Sequence, residues 1–240
     1  MRKQGDPARA LQQQAYMKSE MAYYGLSASE MRAICREAFR EYAFDDGDAW
    51  QNDVLALWRN AVKREERYAA VELAQHRKAK ALHHFKMLPM LEEMIVSGAW
   101  WDYVDALASH NLTWILERED DRKKMKKEML KWSVDDDMWK RRSSIICQLH
   151  TETTIDLELL YKCIEPSLSS KEFFLRKAIG WALRQHAWSD PKEVIRYVTK
   201  NVDRLSPLSI REALKNVDVP ATLKKAITSS QARAKKQKTS

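Results

Sequence analysis

The stretch Lys177-Ala178-Ile179-Gly180-Trp181-Ala182-Leu183 begins with a charged residue and continues as an apolar stripe of helical periodicity. Four further stretches follow the same pattern, at residues 67–73, 102–107, 142–149 and 211–215. The first residues of the five stretches are 35, 40, 35 and 34 positions apart, a period typical of solenoids built from helical pairs. Since neither a tetratricopeptide nor an ankyrin consensus is present, the repeat predicts a HEAT-like solenoid.

The composition also favours helices. Glycine and proline number only five and six among 240 residues, whereas a β-sheet protein of this size needs many tight turns that use them. Ser27-Ala28-Ser29-Glu30 has the pattern of a capping box, and Ser189-Asp190-Pro191 has that of a helix cap followed by a first-turn proline. We therefore predict an all-α protein.

The net charge of +8 is concentrated at the C-terminus. Six basic and no acidic residues follow position 223, which leaves +2 for the rest of the chain. Few apolar residues follow Ile227, so we expect residues 227–240 to form a disordered basic tail. No linker interrupts residues 1–226, which are expected to form one repeat domain. A nucleic-acid-binding face would have to come from local clustering of charge.

Signals for export or membrane insertion are not recognisable. Residues 1–7 are polar, and no run of about 18 apolar residues occurs. Cys35, Cys147 and Cys163 have unrelated spacings, which predict free, buried thiols in a reducing compartment. We expect an intracellular protein, in the cytoplasm or nucleoid of a bacterium or the nucleus of a eukaryote.

One repeat departs from the others three residues after its charged start. Ala70, Ile145, Gly180 and Leu214 occupy this position in four repeats, and Asp105 occupies it in the fifth. A carboxylate in place of a packed apolar group is unfavourable unless it is paired or useful. Asp105 is therefore either a solvated or hydrogen-bonded surface residue or a functional carboxylate.

Two tryptophans accompany these positions. Trp101 lies four residues before Asp105, on the same helical face. An indole and a carboxylate together can hold a cation, because the ring face attracts it and the carboxylate neutralises it. Trp181 follows Gly180, which either permits close helix packing or leaves space for a ligand. Spacing alone does not choose between these two roles.

Basic residues recur at similar places in successive repeats. On the concave face of a solenoid they would line up and neutralise phosphates of a nucleic acid duplex. The candidates are Lys140, Arg141, Arg142, Arg176, Lys177 and Arg184, and Arg211 is the charged start of the last repeat. The alternative is an ordinary solvated helix face.

Other chemistry is not apparent in the sequence. It contains no glycine-rich phosphate loop and no serine nucleophile elbow, and its six histidines lack the spacing of metal ligands. We therefore expect neither a metal nor an organic cofactor.

Several of these segments resemble the AlkD family of bacterial alkylpurine DNA glycosylases. The two longest are Trp100-Trp101-Asp102-Tyr103-Val104-Asp105 and the segment 169–184, which contains SSKEFF and KAIGW. Shorter similarities occur at residues 15–18, 139–149 and 207–213. The resemblance follows chain order from about residue 15 to residue 214, although His150 stands where the family would lead us to expect a basic residue.

The resemblance implies a solenoid that holds duplex DNA in a concave, basic groove. It implies hydrolysis of the N-glycosidic bond of N3- and N7-alkylated purines, typically 3-methyladenine and 7-methylguanine, with the base left stacked. By position, Asp105 would be the catalytic carboxylate, and Trp101 and Trp181 would flank the deoxyribose of the lesion. Arg142 would hold the neighbouring phosphate, and Tyr16 would contact the DNA nearby. A monomer without membrane or protein partner would suffice.

Two other interpretations stay open at this point. The chain could be a HEAT-repeat scaffold that binds proteins, although a scaffold does not need Trp101, Asp105, Arg142 and Trp181 together. It could also be a DNA-binding paralogue without glycosylase activity, although such a paralogue would be expected to have lost Asp105 or one of the two tryptophans.

Overall fold

Helices form along nearly the whole chain, because helix-favouring residues are interrupted by few glycines and prolines. The computed structural model describes the backbone of residues 1–151 and 154–239, with side chains through Arg233. All regular elements in these ranges are helical, which confirms the predicted all-α, helical-repeat fold. None of the described helices is both long and apolar enough to cross a lipid bilayer.

The described α-helices are numbered in chain order. They are α1 (Pro7–Met17), α2 (Ala28–Ala38), α3 (Gly47–Arg59), α4 (Arg64–Ala74), α5 (Leu88–Gly98), α6 (Trp101–Ala106), α7 (Thr113–Glu117), α8 (Glu119–Trp132), α9 (Met138–Ile146), α10 (Leu157–Ile164), α11 (Phe173–Ala187), α12 (Pro191–Lys200), α13 (Pro207–Ala213) and α14 (Ala221–Thr239). A π-helix spans Leu107–Leu112, and short 3₁₀ helices lie at Arg2–Gln4, Arg77–Leu82, Phe85–Met87 and Glu165–Ser167.

Both predicted helix starts are present. The Ser27 hydroxyl accepts a hydrogen bond from the backbone N–H of Glu30, and the Glu30 carboxylate accepts one from the backbone N–H of Ser27. This is the reciprocal capping box. At α12 the capping side chain is Asp190, with Pro191 as the first helical residue.

The packing of the helices divides the chain into two compact units, Met1–Leu107 and Ala108–Ser240. In the first unit Trp50, Trp58 and Tyr103 are almost completely buried. In the second unit Trp132 and Ile179 are buried in the same way. The sequence did not predict this division, and the assignment of residues 1–226 to one repeat domain stays a prediction.

The C-terminal segment differs from the expectation of disorder, because α14 continues to Thr239. Leu223 is buried at its start. Ser230 Oγ donates to the carbonyl oxygen of Val202 at 3.1 Å, and Arg233 pairs with Asp203. These contacts fix a helix that contains no glycine or proline to interrupt it. The side chains of residues 234–240, including Lys235, Lys236 and Lys238, lie outside the described residues.

The predicted repeat register is reproduced in the burial pattern. The five stretches begin within α4, α6, α9, α11 and α13. At the position three residues after each start, Ala70, Ile145, Gly180 and Leu214 are buried, whereas Asp105 is half-buried. The carboxylate is therefore the one of these five that keeps contact with solvent.

Candidate functional site

Helix α6 carries two of the predicted catalytic residues. It follows Ala99, whose φ of 39° produces a sharp turn after α5 without a glycine. The buried side chains of Tyr103 and Val104 hold α6 against the core of the first unit. Trp101 and Asp105 are half-buried, so both keep a part that solvent can reach.

The chain continues from α6 directly into the π-helix Leu107–Leu112. A π-helix is rare because its wide turn packs and hydrogen-bonds less well than an α-helix, and such turns are concentrated at functional sites. The irregular geometry begins two residues after Asp105, the residue that breaks the repeat pattern.

A buried network ties the first turn of α6 to α4. Arg64 Nη2 lies 2.7 Å from Asp102 Oδ1, and the Tyr68 hydroxyl donates to Asp102 Oδ2 at 2.6 Å. The Arg64 guanidinium also stacks over the ring of Tyr103, 4.3 Å from its centroid. Burial raises the pKa of Tyr68, and the charge of Asp102 raises it further, so the phenol stays protonated and donates.

This network fixes the helix that presents Trp101 and Asp105. Sequence reasoning missed it, although one signal was available: Asp102 is a carboxylate between two aromatic residues of the segment that carries the family resemblance.

A cavity of about 380 Å³ opens beside α6 within the first unit. Tyr16 of α1, whose surface is 77% exposed, borders this cavity. Asp102 and Ala106 of α6 border it as well. Glu72 of α4 is half-buried in its wall, where burial raises the pKa of the carboxyl group. The structure thus brings Tyr16 and the helix of Asp105 to one cavity.

Gly180 of α11 packs directly against α13. A Cβ atom at this position would lie 2.4 Å from Glu212 Cβ and 2.9 Å from the carbonyl oxygen of Ser209. The glycine therefore permits close helix packing, the first of the two roles considered for it. The neighbouring Trp181 is half-buried.

Two of the predicted DNA-binding cations share one carboxylate. Lys177 Nζ lies 3.0 Å from Glu212 Oε1, and Arg184 Nη1 lies 2.7 Å from Glu212 Oε2. Burial acts to raise the pKa of Glu212, but the two cations lower it overall. The three groups carry a net charge of +1, held between α11 and α13. The sequence analysis did not identify Glu212, whose only signal was its place next to Arg211.

The other predicted basic residues of the second unit occupy different environments. Arg142 of α9 is buried, donates to the Phe174 carbonyl oxygen and lies 5.9 Å from the centroid of the Phe174 ring. Arg141 is half-buried, and its Nε has no hydrogen-bond partner among the described residues. Arg211 of α13 is exposed. The prediction grouped these side chains as one basic stripe, but they differ in exposure.

Metal and thiol chemistry find little support in the described part of the chain. No group of three or more histidine, cysteine, aspartate or glutamate residues there is arranged to hold a metal ion. The three cysteines are free and buried, as predicted. Burial raises the pKa of the Cys35 and Cys163 thiols to about 12, which suppresses the reactive thiolate.

Comparisons with known proteins agree with one another. A family model described as DNA alkylation repair enzyme matches residues 1–217. A solved structure described as a predicted DNA alkylation repair enzyme from Enterococcus faecalis shares 26% sequence identity. The match covers 89% of this chain and 97% of that one, with a TM-score of 0.78. No curated protein matches with significant sequence similarity.

Proposed function

The chain belongs to the DNA alkylation repair enzyme family, and we propose that it acts as a DNA glycosylase. Its substrate in this proposal is duplex DNA that contains purines made cationic by alkylation at N3 or N7, such as 3-methyladenine and 7-methylguanine. The enzyme hydrolyses the N-glycosidic bond as a monomer, without a cofactor and without flipping the base out of the stack.

The observation that carries the proposal is the setting of Asp105. This half-buried carboxylate occupies a repeat position that is buried in the four other repeats. It lies one helical turn from Trp101, on a helix fixed by the Arg64–Asp102 ion pair. A carboxylate one helical turn from an indole is suited to stabilising a cation.

The chemistry requires such a carboxylate. When the bond between C1′ and the alkylated purine breaks, its electron pair neutralises the base and the positive charge moves to the deoxyribose. At a separation of about 4 Å and an effective dielectric constant near 20, a carboxylate stabilises that charge by roughly 4 kcal/mol. This corresponds to roughly a thousandfold in rate. Asp105 also orients the water that adds to C1′ and releases a proton.

A gain of this size suffices only for a bond that alkylation has already made labile. A neutral lesion needs protonation of the leaving base, and the proposal assigns no general acid to that step. Neutral lesions are therefore poor substrates.

The remaining residues in the proposal bind DNA. Trp101 and Trp181 pack beside the deoxyribose, and Arg142 holds a phosphate next to the lesion. Tyr16, exposed at the cavity beside α6, contacts the DNA nearby. Arg141, Lys177, Arg184 and Arg211 add charge that neutralises phosphates.

The test is release of 7-methylguanine from duplex DNA by the wild-type chain and by Asp105→Asn. We expect the variant to bind duplex DNA as the wild type does and to release the base at least tenfold more slowly, because its amide carries no charge. Asp45→Asn is the matched control, since Asp45 is exposed and lies outside the cavity.

Equal release by wild type and Asp105→Asn would reject Asp105 as the catalytic carboxylate. Tight duplex binding without release by the wild type would favour a DNA-binding protein that lacks glycosylase activity. Absence of both would favour a protein-binding scaffold.

A further inference from the structure

A second concave surface of the first unit, of about 590 Å³, is strongly basic. It lies where α2 and α4 end, and it is separate from the residues to which the sequence analysis assigned DNA binding. Four cationic side chains line it, and we call it the basic pocket: Arg36, Arg40, Arg77 and Lys78.

Most of this charge is not neutralised by the residues that the structure describes. Arg40 pairs with Glu37, the one carboxylate that lines the pocket. Arg36, Arg77 and Lys78 are exposed and make no ion pair with the described residues. The lining residues therefore carry a net charge of +3.

The clustering is local, because the first unit as a whole is not basic. Residues 1–107 contain 15 lysines and arginines against 16 aspartates and glutamates, a net charge of −1. A patch of +3 on a unit of −1 cannot reflect a general excess of basic residues, and clustering of this kind is the electrostatic mark of a nucleic-acid contact.

His76 gives the pocket a fixed wall. Its ring stacks on Phe44 with 4.5 Å between centroids, and its Nδ1 accepts a hydrogen bond from the backbone N–H of Lys78 at 3.3 Å. Burial lowers the pKa of His76, and the charges of Lys78 and Arg77 lower it further. The neutral imidazole that results can accept this bond and hold the turn that presents both cations.

The basic pocket adjoins the cavity that Tyr16 borders. Arg32 of α2 lines the cavity, and Arg36, one helical turn later, lines the basic pocket. In the same way, Gln75 after α4 lines the cavity, and the next residue, His76, lines the basic pocket. A polyanion that reaches the cavity therefore finds these exposed cations next to it.

We propose that the basic pocket binds the phosphate backbone of duplex DNA away from the lesion and supplies affinity that does not depend on damage. The occupant is a phosphodiester chain, because exposed cations recognise phosphate charge and not base sequence. The inference rests on the proposed function only in taking duplex DNA as the ligand.

A purely structural role would have different consequences. Cations near helix C-termini stabilise the helix dipole. If the pocket served only this purpose, removal of its charges would lower the melting temperature and leave DNA binding unchanged.

The experiment measures binding of an undamaged, fluorescently labelled duplex by anisotropy between about 50 and about 200 mM salt, a range over which phosphate contacts weaken strongly. The variant is Arg36→Gln/Arg77→Gln/Lys78→Gln. The matched control, Lys123→Gln/Lys124→Gln/Lys127→Gln, removes three exposed lysines of α8 and the same net charge. We expect the slope of log K against log salt to become shallower by about two to three for the pocket variant and to stay close to wild type for the control.

Equal slopes for the pocket variant and the control would overturn the proposal. If the triple variant folds poorly, Arg77→Gln/Lys78→Gln takes its place, with an expected change in slope of about one to two. Release of 7-methylguanine by the wild type is scored separately. A shallower slope without base release supports DNA binding by the basic pocket and rejects glycosylase activity. Base release with an unchanged slope supports glycosylase activity and rejects DNA binding by the basic pocket.

Discussion

At the scale of single residues, Asp102 supports the neighbouring Trp101 and Asp105 through its pairing with Arg64. The side chains of Arg64 and Asp102 are only 7% and 13% exposed. Removing one member of a buried pair leaves the other charge without compensation, which costs about 3–5 kcal/mol. We expect Asp102→Asn to lower the free energy of unfolding in urea by about 3 kcal/mol.

The control for this prediction is an exposed ion pair. Lys162 and Glu158 are 57% and 78% exposed, so Glu158→Gln should cost about 0.5 kcal/mol or less. If the two substitutions proved equally mild, Asp102 would not anchor α6.

Gly180 leads to a second prediction at this scale. An added methyl group would meet the backbone of Ser209 and the Cβ of Glu212, neither of which is the flexible end of a side chain. We expect Gly180→Ala to lower the free energy of unfolding by about 2 kcal/mol, because overpacking outweighs the better helix propensity of alanine.

Gly47→Ala is the matched control, since its Cβ would lie 3.2 Å from the terminal methyl of Met87 and in ordinary contact, at 3.8 Å, with Leu82 Cδ2. That methyl can move, so a change near zero is expected. A neutral Gly180→Ala would mean that α11 and α13 separate easily.

At the scale of elements, Glu212 of α13 would compete with DNA for two cations of α11 if these cations bind phosphates as proposed. It pairs with both Lys177 and Arg184. Glu212→Gln should free both side chains for phosphates, and we expect it to tighten binding of undamaged duplex severalfold at low salt. Anisotropy titrations measure this change.

Glu165→Gln provides the comparison, because it removes one carboxylate of an exposed pair with Arg204 and changes the net charge equally. Equal effects of the two variants would show that total charge matters and that the α11–α13 cluster does not.

At the scale of the whole molecule, stability should depend on pH through histidines. Burial lowers the pKa of His76, His150 and His186 below the ordinary 6.5. The unfolded chain therefore binds more protons than the folded chain once the pH falls below about 6.5, and the free energy of unfolding decreases. Above that pH the neutral histidines no longer reduce the free energy of unfolding.

We expect urea unfolding to give a lower stability at about pH 5.5 than at about pH 7.5, values on either side of the ordinary histidine pKa. His186→Gln should reduce this difference, because His186 is buried and both ring nitrogens lack partners among the described residues. Carboxylates whose pKa is lowered by folding, such as Glu193 at about 2, stabilise the folded chain at both pH values. That stabilisation is lost only when the pH falls below the ordinary carboxylate pKa near 4.5. A stability that is equal at both pH values would contradict the burial of these rings.

Sequence periodicity sufficed for the features that depend on neighbours along the chain. The all-α class, the capping box at Ser27 and the exceptional place of Asp105 follow from residues three or four apart, which share a helical face whatever else the chain does. The helical C-terminus was missed, because Ser230 and Arg233 find their partners near residue 202, outside any local window.

Only the tertiary structure decided which polar groups meet across helices. Arg64 reaches Asp102 over 38 residues, and Arg184 reaches Glu212 over 28. No spacing rule encodes such pairs, since they depend on how two helices cross. For the same reason, the sequence could propose both packing and ligand space for Gly180, and only the distance to α13 chose packing. Periodicity determines which face of a helix is buried, whereas the partner of that face is set by the packing of distant segments.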